Sequence, residues 1–193
     1  MTNGNKLTSS ITEEGGGRGR KPRWLWLFAP VMLLLVVVAY NWIAVFHPAQ
    51  SALSKDYRNK SAQVAVYQRW GVLPSEIVFD IRSVEGTVSR ADITRMLFQV
   101  AEAFEDKEFD WVVLAYKGKA KFKIPGEHFQ EIGREFSYQN PVYLMRKLPQ
   151  NVCELDGSAA FASYSGGWLG VLGAEMDDLN ELHDRWWLDD AVY

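Results

Sequence analysis

The amino-acid sequence predicts an α+β protein, in which a single N-terminal transmembrane helix precedes a ferredoxin-like domain (βαββαβ, antiparallel sheet) with extra N- and C-terminal helices. Residues 24–46 form an apolar stretch of 23 residues without a charge. A helix of that length extends about 34 Å, which exceeds the hydrocarbon core of about 30 Å. Residues 76–148 then alternate between strand-like and helix-like apolar periods, in the order that defines the split βαβ arrangement.

The flanks of the apolar stretch favour a membrane anchor with its N terminus in the cytoplasm. Aromatic side chains, which prefer the headgroup layers, stand near both ends as Trp24, Trp26, Tyr40 and Trp42. The N-terminal flank is basic, through Arg18, Arg20, Lys21 and Arg23. Positive flanks normally stay inside the cell, so these four residues set the topology. A cleaved signal peptide is the alternative, but its apolar region normally covers only about 7–15 residues.

Four segments follow from this division. Residues 1–23 are expected to be a disordered basic cytoplasmic tail, and residues 24–46 the transmembrane helix. Residues 47–74 are expected to form a juxtamembrane helix and linker, with a helix over 51–70 that ends at Gly71 and Pro74. Residues 75–193 are expected to be an extracytoplasmic α+β domain with a C-terminal helix.

The elements of the domain follow from local patterns. A strand is predicted over 76–88, and Ser89 with Asp92 predicts the capping box of a helix that continues to Phe104. The run 111–116 predicts a buried strand, and the turn at Gly118 joins it to a strand over 120–124.

The C-terminal half completes the predicted topology. A helix is predicted over 127–136 and a fourth strand over 142–148, separated by Asn140 and Pro141. Residues 150–168 are rich in small side chains and predict a loop or an irregular strand. A final amphipathic helix is predicted over 169–188.

Charge and cysteine usage exclude several classes of protein. The body, residues 49–193, holds 16 Lys and Arg against 22 Asp and Glu, and lacks the basic, aromatic surface that single-stranded nucleic acid requires. Cys153 is the only cysteine, so no disulfide can form within the chain. No phosphate loop, dinucleotide fingerprint, nucleophile elbow or helical metal motif occurs, so neither a cofactor nor a metal is expected.

Two features are candidates for an interaction surface. The lysine series has a spacing of two residues, which on a strand projects all side chains to one side: Lys117, Lys119, Lys121 and Lys123. Such a row suits an anion, the acidic last helix or a protected sheet edge. Trp187 follows Trp186 directly, so one of the two rings is expected to be exposed as an interface anchor.

The sequence therefore predicts a non-enzymatic interaction or assembly module, anchored by a single span and displayed outside the cytoplasm. Its architecture resembles bitopic assembly subunits of bacterial envelope machines, which implies an inner-membrane location, a periplasmic domain and a protein partner besides membrane lipid. Homo-oligomerisation stays open. The alternatives are a ligand-sensing domain with residues 157–170 as the wall of its pocket, and an envelope hydrolase that uses Glu127, His128 and Glu131.

Overall fold

One long apolar helix leads into the domain. The computed structural model describes residues 25–71, 73–164 and 168–191. Helix α1 (Leu25–Asn41) continues through a π-helical turn (Trp42–Phe46) into α2 (His47–Ser54). Within this run Phe28–Ser54, 27 residues with an 18-residue window of mean hydropathy 2.2, is the one described helix that is long and apolar enough to cross a membrane.

The domain is a mixed α+β fold built on a four-stranded sheet. Its strands are β1 (Ala62–Arg69), β2 (Leu73–Val84), β3 (Trp111–Tyr116) and β4 (Lys119–Pro125), and they lie in that order. The β1/β2 and β3/β4 pairs are antiparallel, whereas β2 and β3 are parallel. The parallel pair is joined by α3 (Arg90–Ala103), as parallel neighbours require a crossover connection.

The remaining helices follow β4. They are α4 (Gly126–Phe136), α5 (Pro141–Lys147), α6 (Trp168–His183), a π-helical turn (Asp184–Leu188) and α7 (Asp189–Ala191). Short 3₁₀ turns lie at Tyr57–Ser61 and Pro149–Asn151. The compact part of the chain that carries the sheet begins at Leu35, so it includes the end of α1.

The main core lies between the helices and one face of the sheet. Phe79, Leu114 and Phe122 are paired across β2, β3 and β4, so their side chains share that face. They belong to one buried cluster with residues of α2, α3, α4 and the C-terminal helical segment. A second, smaller cluster on the opposite face contains Val78, Val113 and Ala115, and only strand residues pack against it. Among the described residues, the helices therefore cover one face of the sheet.

The predicted helix over 51–70 is wrong in its second half. Helix α2 ends at Ser54, and the carboxylate of Asp56 accepts the Arg58 N–H to cap the following 3₁₀ turn. From Ala62 onward the side chains alternate in burial, with Val64 and Val66 buried, because this segment pairs with β2. The alternation of buried and exposed side chains every two residues therefore describes this segment better than the helical spacing of its apolar residues. The sheet has a first strand that sequence reasoning missed.

The predicted fourth strand over 142–148 is also wrong, since this segment is helix α5. The side chain of Asn140 accepts the Val142 N–H at 2.9 Å and Pro141 occupies the first turn, which is the sequence signature of a helix start. The predicted antiparallel ferredoxin-like sheet is also wrong, because the observed sheet is mixed and has the order β1-β2-β3-β4. In that topology the strands of a βαβ crossover are separated by another strand, whereas β2 and β3 are direct neighbours.

The other strands and helices predicted within the domain are present, although the strand predicted over 76–88 runs from Leu73 to Val84. Ser89 and Asp92 form the predicted capping box of α3, and the predicted strand over 111–116 is β3. The turn between β3 and β4 has positive φ angles at Lys117 (48°) and Gly118 (81°), the geometry of a tight hairpin. The predicted short helix is α4, and the predicted final helix begins at Trp168.

Candidate functional site

The sheet face without helices is the candidate interaction surface, and we name it the open sheet face. Its apolar floor consists of Val78, Val113 and Ala115, which are 5 %, 1 % and 1 % exposed although no described helix covers them. The side chains that pack against them are those of Tyr67 and Ala120, on the neighbouring strands β1 and β4. The register of the strands places larger polar and aromatic residues on the same face: Tyr67, Asp80, Arg82, Trp111 and Lys123.

Asp80 is the central polar group of the open sheet face. It is fully buried. Its Oδ2 accepts a hydrogen bond from the Tyr67 hydroxyl at 2.9 Å and forms an ion pair with Arg82 Nη2, also at 2.9 Å. Its Oδ1 accepts the backbone N–H of Gly118 at 3.1 Å. A buried carboxylate needs such partners to offset its lost hydration. Asp80 therefore connects β1, β2 and the β3–β4 turn.

The outer groups of this face are a phenol hydroxyl and two cations that lie beside aromatic rings. Burial, together with the hydrogen bond to Asp80, raises the pKa of Tyr67 to about 12, so its hydroxyl stays protonated at neutral pH. The Arg82 guanidinium lies 5.6 Å from the Tyr67 ring centroid and the Lys123 ammonium 3.9 Å from the Trp111 centroid. The exposed Arg82, which also pairs with Asp80, and the half-buried Lys123 therefore each place a cation beside an aromatic ring on this face.

The four predicted lysines do not form one row. Lys117 lies in the β3–β4 turn, and Lys119 pairs with Tyr116 at the start of β4. Leu114 pairs with Phe122 and Ala115 with Ala120, so Lys121 is an unpaired bulge residue. A bulge reverses the alternation of side chains, which leaves Lys123 on the open sheet face while Lys121 forms an ion pair with Asp190 at 2.9 Å. The predicted alternative of contact with the acidic C-terminal segment therefore holds for Lys121.

Trp187 is not an exposed anchor, which contradicts the sequence prediction. It is 3 % exposed, and its indole N–H donates to Nδ1 of His183 at 2.9 Å. Trp186 is also buried, and its indole N–H donates to the carbonyl oxygen of Ala115 at 3.1 Å. Both rings find partners because the π-helical turn lies against the sheet, and the buried His183 extends towards α3.

Of the predicted membrane anchors, Tyr40 and Trp42 are each 56 % exposed at the end of the apolar helix. Their exposure among other exposed apolar side chains is what a lipid-facing surface requires. Trp24 and the side chain of Trp26 lie outside the described residues. The four topology residues also lie outside them; these are Arg18, Arg20, Lys21 and Arg23.

The acid and base residues considered for a hydrolase are divided between two clefts. His128 Nδ1 lies 3.1 Å from Glu131 Oε2 and lines a cleft of about 270 Å³ with Glu135, whereas Glu127 lines another cleft with Glu108. Burial lowers the pKa of His128. The described lining of the His128 cleft holds no serine, threonine or cysteine. Among the described residues, no group of three or more acidic, histidine or cysteine side chains could hold a metal ion.

The segment expected to be a pocket wall, residues 157–170, is described only in part, because residues 165–167 lie outside the described residues. The backbone of Cys153 exchanges two hydrogen bonds with Lys123, at 2.9 and 2.8 Å, so the segment after α5 lies along the outer edge of β4. The groove between α2 and β1, with a volume of about 480 Å³, is lined by residues before position 97.

Sequence reasoning missed the residues that join the apolar helix to the sheet. The side-chain oxygen of Asn41 accepts the Gln68 N–H at 3.3 Å, and the Gln50 amide donates to the Val64 carbonyl at 2.6 Å. Two amide side chains nine residues apart thus cover the free edge of β1. Asn41, a polar residue near the end of an apolar stretch, was the signal in the sequence that could have indicated this contact.

Comparison with protein families, curated proteins and solved structures finds no match.

Proposed function

We propose that the protein is a single-pass, membrane-anchored interaction module that holds its domain in a fixed orientation on the extracytoplasmic side of a membrane. In this proposal the domain acts by contact with a protein partner and not by catalysis. The basic N-terminal flank supports the orientation. The bacterial inner membrane, with the domain in the periplasm, is the compartment that agrees with this architecture.

The observation that carries the proposal is the continuity of the apolar helix with the domain core. Val45, Ala49 and Leu53, on the same helical run, are 2 %, 0 % and 5 % exposed within the main core. Lys107, in the loop after α3, donates a hydrogen bond to the Ala44 carbonyl oxygen, and its ammonium lies 5.0 Å from the Phe104 ring centroid. A π-helical turn frees carbonyl groups for such partners.

This continuity matters because an anchor that only concentrates a domain at a membrane can end in a flexible linker. Here residues 41–53 of the helical run lie along the edge of β1 and pack within the main core, so this part of the helix is fixed to the domain. A fixed orientation is useful when one particular surface must face a partner in the same membrane system. The open sheet face, with Arg82 and Lys123 beside Tyr67 and Trp111, is the surface that we propose for that contact.

Site-specific photocrosslinking of the full-length protein in its native membranes tests the proposal. A photoreactive residue at position 82 places the probe on the open sheet face, and one at the exposed position 102 on α3 places it on the helical layer. We expect a discrete protein adduct from position 82 that is absent from position 102. Equal adducts from both positions, or none from position 82, would contradict the proposed surface.

A matched pair of variants distinguishes specific recognition of a partner by the open sheet face from nonspecific attraction by positive charge. Arg82→Ala removes an exposed cation that pairs with Asp80, and Arg58→Ala removes an exposed cation that pairs with Asp56 at 2.7 Å, away from this face. We expect Arg82→Ala to weaken co-purification of the crosslinked partner, whereas Arg58→Ala retains it. Equal loss in both variants would indicate nonspecific electrostatic binding.

A further inference from the structure

The tip of the β1–β2 hairpin exposes large apolar side chains. Trp70 is 78 % exposed and Leu73 is 40 % exposed, on either side of the turn that reverses the chain. Trp70 also has a φ of 57°, in the left-handed region that bulky residues rarely occupy. The domain gains neither burial nor an easy backbone conformation from tryptophan at this position, so its role is expected to involve something outside the domain.

The register of β1 along the apolar helix places this tip on the membrane side of the domain. Gln68 is bonded to Asn41 and Val64 to Gln50, so strand and helix run in opposite directions. Four strand residues extend about 13 Å and nine helical residues about 13.5 Å, so the two alignments agree. Trp70 lies two residues beyond Gln68, about 6 Å further along, which corresponds to about four helical residues before Asn41. The tip is therefore level with Val37, within the apolar stretch.

The charges around the tip mark a boundary. Arg69 and Glu76 face each other across the hairpin and form an ion pair at 2.8 Å. Between them the sequence from residue 70 to residue 75 carries no charge. An ion pair followed by an uncharged apolar tip is the arrangement expected where a polypeptide passes from water into the headgroup layer.

The adjoining loop indicates which lipids the tip can contact. β2 and β3 are parallel, and the Asp110 N–H donates to the Ser75 carbonyl at 2.7 Å, so the loop before β3 lies at the same end of the sheet as the tip. This loop is mostly acidic, with one lysine; its charged residues are Glu105, Asp106, Lys107, Glu108 and Asp110. Negative charge beside the tip disfavours attraction by anionic headgroups, so apolar contact is left as the driving force.

We propose that Trp70 and Leu73 insert into the interfacial layer of the bilayer that the apolar helix crosses, as a second membrane contact of the domain. This contact fixes the domain against rotation about the helix axis, because two separated points define its orientation. The inference rests on the proposed membrane anchoring. It adds a lipid-binding site on the sheet, and the ligand is a zwitterionic lipid interface.

Fluorescence quenching by brominated lipid tests the insertion in the full-length protein reconstituted into phosphatidylcholine vesicles. The emission of wild-type protein minus that of Trp70→Phe isolates Trp70, and the corresponding difference with Trp42→Phe isolates the predicted belt residue. We expect bromines on the upper acyl chain to quench both differences, and the Trp70 emission to lie at shorter wavelength than that of an indole in water. Replacing part of the phosphatidylcholine by phosphatidylglycerol should not increase the quenching.

The outcomes separate the two proposals. Quenching of Trp42 without quenching of Trp70 would overturn the hairpin insertion and leave the anchor intact. Absence of quenching at both positions would overturn the membrane anchor together with the hairpin insertion. Increased quenching with phosphatidylglycerol would contradict the apolar mode of binding.

A second pair of variants separates insertion from backbone strain. Trp70→Asn and Lys117→Asn each replace a residue with positive φ (57° and 48°) by one that tolerates it, but Lys117 lies at the opposite end of β3. We expect both variants to raise the thermal midpoint of the domain, and only Trp70→Asn to loosen the domain on the bilayer, measured as faster fluorescence depolarisation of a dye on Cys153. Equal depolarisation in both variants would refute the role of Trp70.

Discussion

Acidification from pH 7 to pH 5 is expected to destabilise the domain through one buried imidazole. His183 is fully buried between α6 and α3, and its Nδ1 accepts the Trp187 indole N–H, so Nε2 carries the proton and donates to Thr94 Oγ1 at 2.8 Å. The Thr94 hydroxyl in turn donates to the Arg90 carbonyl at 3.1 Å. Protonation of Nδ1 would break the hydrogen bond from Trp187 and place a charge in the core.

The magnitude follows from the difference between the folded and unfolded protein. Burial, with a smaller contribution from the Arg90 charge and an opposing one from Asp184, lowers the pKa of His183 from 6.5 to about 3. The unfolded chain therefore binds a proton first, and the stabilisation is complete above pH 6.5 and decreases as the pH falls towards 3. At pH 5 the free energy of unfolding is lower by about 2 kcal/mol, and the full loss below pH 3 is about 4–5 kcal/mol.

Denaturant unfolding of the full-length protein in detergent, followed by tryptophan fluorescence between pH 7 and pH 5, measures this loss. His183→Gln keeps a donor and an acceptor but does not titrate, so it should be about 1–2 kcal/mol less stable at pH 7 and nearly independent of pH above 5. His128→Gln is the matched control, because burial also lowers the pKa of His128, yet its side chain is 17 % exposed. The His128→Gln variant should therefore retain most of the pH dependence of the free energy of unfolding.

An unchanged pH slope in His183→Gln would refute the reasoning, since no other described group with a shifted pKa is expected to titrate as strongly in this range. Carboxylates act at lower pH. The hydrogen bond from Lys121 lowers the pKa of Asp190, so its stabilisation is present above the unfolded pKa of 3.8 and is lost only as the pH falls below that value.

Three further predictions concern packing and are measured by denaturant unfolding. Gly126→Ala should cost about 3 kcal/mol or more, because its Cβ would lie 1.7 Å from a backbone carbonyl oxygen, whereas Gly86→Ala, with open space around it, should be nearly neutral. Leu53→Ala should cost about 2–4 kcal/mol, since this side chain is 5 % exposed within the core; a neutral result would mean that α2 does not pack there. Glu175→Gln should cost about 3 kcal/mol by leaving Arg146, at 2.6 Å, without its ionic partner, and a variant that replaces both by apolar residues should recover much of it.

Local signals in the sequence identified most of the helices and the central strands. The capping box at Ser89, the apolar run of β3 and the turn at Gly118 each act over a few residues, so they could be recognised without knowledge of the fold. The start of α5 shows the limit of pattern reading. Val142 and Leu144 allow a strand, but the Asn140 cap and Pro141 decide for a helix.

The candidate site depends on pairings between distant segments, which the sequence does not reveal. The bulge at Lys121 separates the lysine series and can be seen only from the register of β4 against β3. β1 was mistaken for a helix because its strand character depends on pairing with β2 and on the helix at its free edge. The burial of Trp187 depends on His183, a residue one helical turn earlier that is itself fixed by Thr94.

The proposed rigid attachment of the helix from Leu35 onward to the sheet is tested most directly by an electron–electron distance measurement in lipid nanodiscs. One spin label is attached at the exposed position 38 on the helix and the other at the exposed position 119 at the start of β4, in a variant that lacks Cys153. The measured distance then runs between the helix and the sheet. A single narrow distance distribution is the predicted result, because Val45, Ala49 and Leu53 hold the helix in the core. A broad distribution would mean that the helix and the sheet move independently, and it would contradict the fixed orientation on which the proposed function depends.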